Sequence, residues 1–183
     1  MKTTILLLVV ASAICLFVMS CASAAKEEAI NKSEEIILDH NETSFLEAAI
    51  GNYSGPNLLW LYDPNKPEES VATVQITATE INYSWEFQGK PQTGRMVFHL
   101  KPDAVDVDWV DSFHAADGFK SVGTHSPTEI KVLCHYGEEG KPQWGWRTEL
   151  TMPKAEQFLV EMFNISPDGK EEIAVRIVAD RLN

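Results

Sequence analysis

The chain has 183 residues and a formal net charge of −12. So acidic a protein repels nucleic acid and anionic lipid surfaces, which excludes partners that bind through their own negative charge. The length is sufficient for one domain with its own hydrophobic core.

The N-terminus carries the pattern of an export signal. Lys2 precedes an apolar run over residues 5–19, which is short for a membrane span but typical of a signal peptide. Residues 18–21 (VMSC) resemble a bacterial lipobox, and residues 22–24 (ASA) fit ordinary signal peptidase cleavage. We favour the lipobox, which predicts a signal peptide over residues 1–21.

Lipidation at Cys21 makes the protein a membrane-anchored lipoprotein of the bacterial envelope. Several acyl chains attach a protein stably to a membrane, because each buried methylene contributes about 0.8 kcal/mol. Ordinary cleavage instead removes Cys21 and gives a periplasmic or secreted protein. Both routes leave Cys134 as the one cysteine of the mature chain, which excludes an internal disulfide.

A polar stretch and one short helix lead into the folded domain. The polar and charged composition of residues 26–41 predicts a tether over residues 22–41, and the domain follows over residues 42–183. Ser44 and Glu47 have the spacing of a capping box, and Gly51 ends the helix. The apolar residues that share one helical face are Phe45, Leu46, Ala49 and Ile50.

Beyond Gly51 the helical period disappears, and short segments alternate apolar and polar residues. Turn residues such as Asp117-Gly118 separate these segments. With residues 58–62 and 71–79, about nine or ten strands follow one another without helices between them. The clearest strands cover residues 81–87, 96–100, 105–109, 130–136, 144–150, 158–162 and 173–179.

Consecutive hairpins of this kind form a meander, whose open edges promote aggregation unless the sheet closes or splits in two. The sequence therefore predicts an all-β fold, an antiparallel up-and-down β-barrel of about 9–10 strands with one short N-terminal helix. A two-sheet sandwich is the alternative, but its crossovers usually need longer connections.

Alternation also identifies polar side chains that point inward. Asp111 continues the inward face of residues 105, 107 and 109, whereas Asp106 and Asp108 face solvent. An inward carboxylate needs a partner, because an unpaired buried charge is costly. The candidate partners are Arg181, which has the inward parity of the last strand, Arg147 and His114.

Arg147 has two interpretations. A regular strand places it outside, opposite Trp144 and Trp146, unless Gly145 marks a bulge that shifts the register. We weigh a structural arginine, stacked on a tryptophan or ion-paired at a barrel end, above a ligand-binding one.

An unusually aromatic set has inward parity. Such rings either pack a core or line a pocket, and a barrel of this size can hold one small ligand. The members are Tyr83, Trp85, Trp109, Trp144 and Trp146. The five histidines lack metal-ligand spacing, and no glycine-rich phosphate loop occurs, so we predict no metal and no cofactor.

Several strings of residues resemble one bacterial family. They are residues 109–114 (WVDSFH), 144–147 (WGWR), 162–171 (MFNISPDGKE), Ala174-Val175 and Arg181. From about Gly51 to the C-terminus, the chain resembles the bacterial domain-of-unknown-function family numbered fifteen seventy-nine, which is similar to lipocalin-like, or calycin, β-barrels. The resemblance implies that fold and no known activity. Phe113 and Tyr53 stand where tryptophan is expected, and both keep an aromatic ring.

Three functions are compatible with these patterns. We favour a binding module that holds a small, partly apolar or amphiphilic ligand in the barrel. One alternative is an enzyme that uses Asp111 and His114 as acid–base groups in the barrel mouth. The other is a non-catalytic envelope protein with a filled barrel and a partner on its surface. The candidate ligand-binding residues are Trp85, Trp109, Asp111, His114, Trp144, Trp146, Arg147 and Arg181.

Overall fold

The structure, a computed structural model, describes residues 43–183. The predicted signal peptide, Cys21 and the predicted tether lie outside these residues. The elements in chain order are α1 (Phe45–Ala49), β1 (Gly51–Leu59), β2 (Glu68–Ile76), β3 (Glu80–Phe87), β4 (Lys90–Lys101), β5 (Ala104–Asp111), β6 (Ala115–His125), β7 (Glu129–Tyr136), β8 (Trp144–Lys154), β9 (Gln157–Ile165) and β10 (Glu171–Arg181). No helix between residues 43 and 183 has the length and apolar character that crossing a membrane requires.

The ten strands form one closed antiparallel barrel with up-and-down order. Each strand pairs with its neighbours in the sequence, and β1 closes the barrel by pairing with β10. In the closing pair, Tyr53 lies opposite Arg181 and Asn57 opposite Ile177. The predicted barrel is therefore confirmed and the sandwich is excluded. Closure removes the open edges that a meander would otherwise expose.

Alternate residues of the strands point inward and fill the barrel with side chains. In β3, for example, Ile81, Tyr83 and Trp85 are buried. A cavity in the middle of the barrel, lined in part by Val74 and Leu150, has a volume of about 10 Å³. Such a volume holds about one water molecule. The middle of the barrel is therefore a packed core.

α1 covers the end of the barrel where β1 and β9 begin, which we call the helix end. The predicted capping box is present: Ser44 Oγ accepts from the Glu47 N–H at 3.3 Å, and the Glu47 side chain accepts from the Ser44 N–H at 2.9 Å. Tyr53 donates its hydroxyl hydrogen to the carbonyl oxygen of Ala49 at 2.7 Å. Three residues of the predicted helical face are buried, namely Phe45, Leu46 and Ala49. Ile50, predicted to share that face, is 48% exposed.

β6 is the strand that the alternation did not reveal. Its buried residues are the small Ala115 and the polar Ser121, so it lacks an apolar stripe. Asp117-Gly118, predicted to be a turn between strands, lies inside β6. Gly118 has φ of +80°, and the register between β5 and β6 shifts nearby. A local irregularity here replaces the predicted break, because glycine accepts the left-handed conformation and the strand continues beyond it.

Candidate functional site

The end of the barrel opposite α1 contains a cluster of aromatic rings, and we call it the aromatic end. The odd-numbered strands finish here and the even-numbered strands begin here. Neighbouring ring centroids are 4.8 to 6.4 Å apart, which is the range of favourable aromatic contacts. The rings belong to Trp85, Phe87, Trp109, Phe113, His114, Phe119, Tyr136 and Trp146.

The register of three strands brings Tyr83 to Asp111. Tyr83 of β3 lies opposite Gly94 of β4, and Gly94 lies opposite Asp111 of β5. Because Gly94 has no side chain, the Tyr83 ring crosses over it, and the hydroxyl donates to Asp111 Oδ2 at 2.7 Å. A Cβ on residue 94 would lie 2.5 Å from Tyr83 Cε2 and closer still to its Cζ and hydroxyl oxygen. Glycine is therefore required between the two side chains.

Asp111 is a buried carboxylate with a full set of donors. It is 1% exposed. Its Oδ1 accepts from the backbone N–H of Phe113 at 2.8 Å, from the backbone N–H of His114 at 2.7 Å, and from His114 Nδ1 at 3.2 Å. Burial acts to raise the pKa of Asp111, but hydrogen bonds from the His114 side chain, the His114 backbone and Tyr83 outweigh it, so that pKa lies below its usual value. Asp111 is therefore ionised at neutral pH.

Tyr83 links Asp111 to Trp109. The Trp109 indole N–H donates to the Tyr83 hydroxyl oxygen at 2.7 Å. Burial, followed by the negative charge of Asp111, raises the pKa of Tyr83 well above its usual value. The hydroxyl therefore keeps its proton and donates to Asp111, so that a buried chain of hydrogen bonds runs from Trp109 through Tyr83 to the carboxylate.

His114 lies between this buried network and the outside. Its side chain is 13% exposed. The imidazole ring stacks on Trp85, with centroids 6.1 Å apart and an angle of 26° between the planes, and its centroid is 5.1 Å from that of Trp146. Nδ1 faces Asp111, and Nε2 forms no hydrogen bond with any residue from 43 to 183.

Trp146 carries a buried donor without an acceptor. Its side chain points inward and the residue is 7% exposed. In the described part of the chain, nothing accepts a hydrogen bond from its indole Nε1. A buried N–H without a partner is uncommon, because burial without a hydrogen bond loses the hydration of that group. This donor belongs to the ring that contacts His114.

The structure corrects the expectation that Trp144 faces inward. Trp144 is 40% exposed. It is the first residue of β8 and lies opposite Tyr136, the last residue of β7, so it stands where the barrel ends and no inward layer covers it. Trp146, two residues on, has the predicted inward position. Trp144 is therefore at the rim of the aromatic end.

Arg147 lies on the outside of the barrel. No register shift occurs at Gly145, which pairs regularly with both β7 and β9, so the suggested bulge is absent there. The Arg147 guanidinium lies 4.2 Å above the Phe163 ring and pairs with Glu149 and, at 2.5 Å, with Glu171. These contacts match the structural interpretation, and Arg147 does not reach Asp111.

Arg181 lies at the helix end, away from Asp111. Its guanidinium lies 4.8 Å from the centroid of the Tyr53 ring, donates to the Ile50 carbonyl at 2.5 Å and pairs with Glu156 at 2.7 Å. It helps to close that end and is not the partner of Asp111. His114 is the candidate partner that contacts Asp111.

The aromatic end therefore unites part of the predicted set. The predicted residues that meet there are Trp85, Trp109, Asp111, His114 and Trp146. Sequence reasoning placed Tyr83 among the inward aromatics but did not identify it as the hydroxyl donor to Asp111. The one available signal was Gly94, since glycine inside a strand often marks a close approach.

The described residues offer few groups to a metal ion. No cluster of three or more His, Cys, Asp or Glu side chains occurs between residues 43 and 183. Cys134 is free and buried, and burial raises the pKa of its thiol despite a hydrogen bond with Ser121. A buried thiol with a raised pKa is a poor nucleophile and a poor ligand.

The fold and the site define a class of protein: a ten-stranded up-and-down barrel with a buried Asp–His pair at its aromatic end. No protein-family model matches the chain, and no curated protein matches it. The resemblance to the family numbered fifteen seventy-nine stays a prediction from the residue strings.

Proposed function

We propose that this protein is a non-catalytic binding module that takes one small, partly apolar molecule at the aromatic end of its barrel. The observation that carries the proposal is the Trp146 indole N–H, which is buried beside His114 without an acceptor in residues 43–183. A ligand atom that accepts this hydrogen would remove the cost of its burial. The His114 ring, whose centroid is 5.1 Å from that of Trp146, is the neighbouring polar side chain.

The filled interior supports the aromatic end as the place where such a molecule would bind. A cavity of about 10 Å³ in the middle of the barrel is too small for a ligand, and α1 covers the helix end. The aromatic end has the composition of a small-ligand site, with many rings and a few polar groups. Phe87, Phe113 and Tyr136 are only partly buried there and offer apolar surface.

The test compares two tryptophans of the same strand. The protein as purified is examined by native mass spectrometry and then screened against lipids and metabolites. For a molecule that binds, Trp146→Phe is expected to weaken the affinity about tenfold, because one hydrogen bond to a buried donor is lost. The matched control Trp144→Phe should change it less than twofold. Equal effects of the two changes, or no bound molecule in any screen, would contradict the proposal.

We infer the cellular location of the protein from the pattern of its N-terminal sequence, not from the barrel. Lipidation at Cys21 would link the domain to a membrane of the bacterial envelope. Cys21→Ser is expected to move the protein from the membrane fraction to the soluble fraction. A wild-type protein that is already soluble would support ordinary cleavage and a periplasmic or secreted protein.

A second candidate function rests on the contact between His114 Nδ1 and Asp111 Oδ1 at 3.2 Å. A carboxylate that orients an imidazole is a common acid–base arrangement in enzymes. If a substrate is found, Asp111→Asn and His114→Ala should abolish its turnover, and unchanged rates would eliminate this function.

The packed interior also fits a barrel that binds a partner through its surface, which becomes the favoured function if no small molecule binds.

A further inference from the structure

We infer that a ligand reaches the aromatic end from the side, through an opening in the barrel wall between β2 and β3. The inference rests on the proposed function and deepens it by giving the route to that site. Three observations support it: the pairing between β2 and β3 stops partway along the strands, a cleft lies in the unpaired stretch, and a second pair of strands separates towards the same end.

The pairing between β2 and β3 covers only the helix end of these strands. It joins residues 73–76 to residues 81–84. Residues 68–72 are paired with β1 and residues 85–87 with β4, but within the described chain these two segments form no pairs with each other. Two strand edges therefore face each other there without ladder hydrogen bonds, and we call this stretch the β2–β3 seam.

A cleft lies in the β2–β3 seam. Its volume is about 30 Å³, which admits about two water molecules. The exposed Glu68 and Gln88 form part of its lining, and so do the buried Leu59 and Trp85. Trp85 also stacks on His114, so the cleft leads from the outer surface to the aromatic cluster. Because the cleft is too small for a ligand, the two strand edges must move apart to admit one.

β6 and β7 separate in the same direction. Their pairing joins residues 122–125 to residues 130–133, again at the helix end. Nearer the aromatic end, the rings of Phe119 and Tyr136 stack with centroids 5.5 Å apart. The other neighbouring strands of the described barrel are paired as far as the aromatic end. The two seams therefore divide the barrel into one wall of β3 to β6 and another of β7 to β10 with β1 and β2.

The two walls contact each other at the aromatic end through side-chain rings. Trp109 of one wall stacks on Trp146 of the other, with centroids 5.5 Å apart and an angle of 26° between the planes. The hydrogen bonds of Asp111 with Tyr83 and His114, in contrast, lie within the first wall. The walls can therefore move apart at the aromatic end without breaking this buried network or any strand pairing.

The test links the two edges of the β2–β3 seam. Val71→Cys and Glu86→Cys are combined, because both side chains point outward and would lie opposite each other if the pairing continued. The matched control combines Thr73→Cys and Ser84→Cys, at positions already paired, where the two hydroxyl oxygens are 2.7 Å apart. Oxidation forms each link, reduction removes it, and mass spectrometry verifies both states. If the cysteines at positions 71 and 86 do not oxidise, dibromobimane bridges the wider gap between them.

For a molecule found in the screen, the link between positions 71 and 86 should slow association about tenfold, because entry then lacks the movement that it requires. Removing the link should restore the rate, and the control link should change it less than about twofold. Stopped-flow fluorescence measures these rates. Opening is also measured without any ligand, through hydrogen exchange of the Trp85 indole N–H, whose NMR signal Trp85→Phe identifies. The link between positions 71 and 86 should slow this exchange, and the control link should not.

Equal association rates with and without the link between positions 71 and 86 would overturn the inference, since the ligand would bind but enter elsewhere. Exchange of the Trp85 indole N–H that is unchanged by this link would also overturn it, because the seam would not be where the barrel opens. If no molecule binds in any screen, the proposed function fails and the inference falls with it, whatever the exchange of Trp85.

Discussion

Replacing Gly94 with alanine is expected to destabilise the barrel by about 3 kcal/mol, since overpacking a core and unpairing buried polar groups each cost about 1–3 kcal/mol. The added methyl group would overlap the Tyr83 ring, with 2.5 Å to its Cε2. The ring must move, and its hydroxyl then withdraws both from Asp111 and from the Trp109 indole N–H. Asp111 Oδ2 and the Trp109 indole N–H would then each lose the hydrogen bond that they form with the Tyr83 hydroxyl.

Urea unfolding followed by circular dichroism measures this effect. Tyr83→Val provides the control, because it removes the ring that the new methyl group would overlap. In that background, Gly94→Ala should cost less than about 1 kcal/mol, so the two changes should be far from additive, as expected for residues in contact. Additive costs would show that the Tyr83 ring is not what requires glycine at position 94.

Replacing Asp111 with asparagine is expected to cost about 2–3 kcal/mol at neutral pH, because breaking a buried charge network leaves donors without partners. The amide oxygen can still accept from the backbone N–H groups of Phe113 and His114. The amide nitrogen, however, would face the Tyr83 hydroxyl, which loses its acceptor. Asp106→Asn is the matched control on the same strand, since its side chain is 43% exposed and exposed substitutions change stability by about 0.5 kcal/mol or less.

The stabilisation by Asp111 should depend on pH with a defined sign. The pKa of Asp111 in the folded state lies below the value of about 3.9 typical of an unfolded chain. Its contribution to the free energy of unfolding is therefore complete above about pH 4 and is lost as pH falls through the lower folded pKa. The difference between wild type and Asp111→Asn should be constant from pH 8 to 5 and shrink below pH 4. A difference that stays constant down to pH 2 would contradict this account.

The fold could be predicted because each strand must bury one face. The alternation of Ile81, Tyr83 and Trp85 with polar residues shows that requirement directly, and the capping box of Ser44 and Glu47 marks the helix. β6 was missed because its buried residues, such as Ser121, are small or polar. A strand whose inner face carries small or polar residues has no apolar alternation of its own.

The site was only partly predictable, because parity gives the face of a strand and not the height along the barrel. Asp111 and Arg181 both have inward parity, yet Arg181 lies at the helix end and Asp111 at the aromatic end. Trp144 has the parity of Trp146 but stands at the rim. The partnership of Tyr83 with Asp111 depends on the register of three strands, which local residue patterns do not determine.

The pairing of β1 with β10 controls when the barrel can form. Arg181 donates to the carbonyl of Ile50, which lies 131 residues earlier in the chain. Closing so long a loop costs entropy before any contact compensates for it, which makes folding slow. Until β10 is in place, β1 and β9 each present an open edge that other chains can pair with. The nascent chain therefore exposes two strand edges to other chains until β10 has paired with β1 and β9.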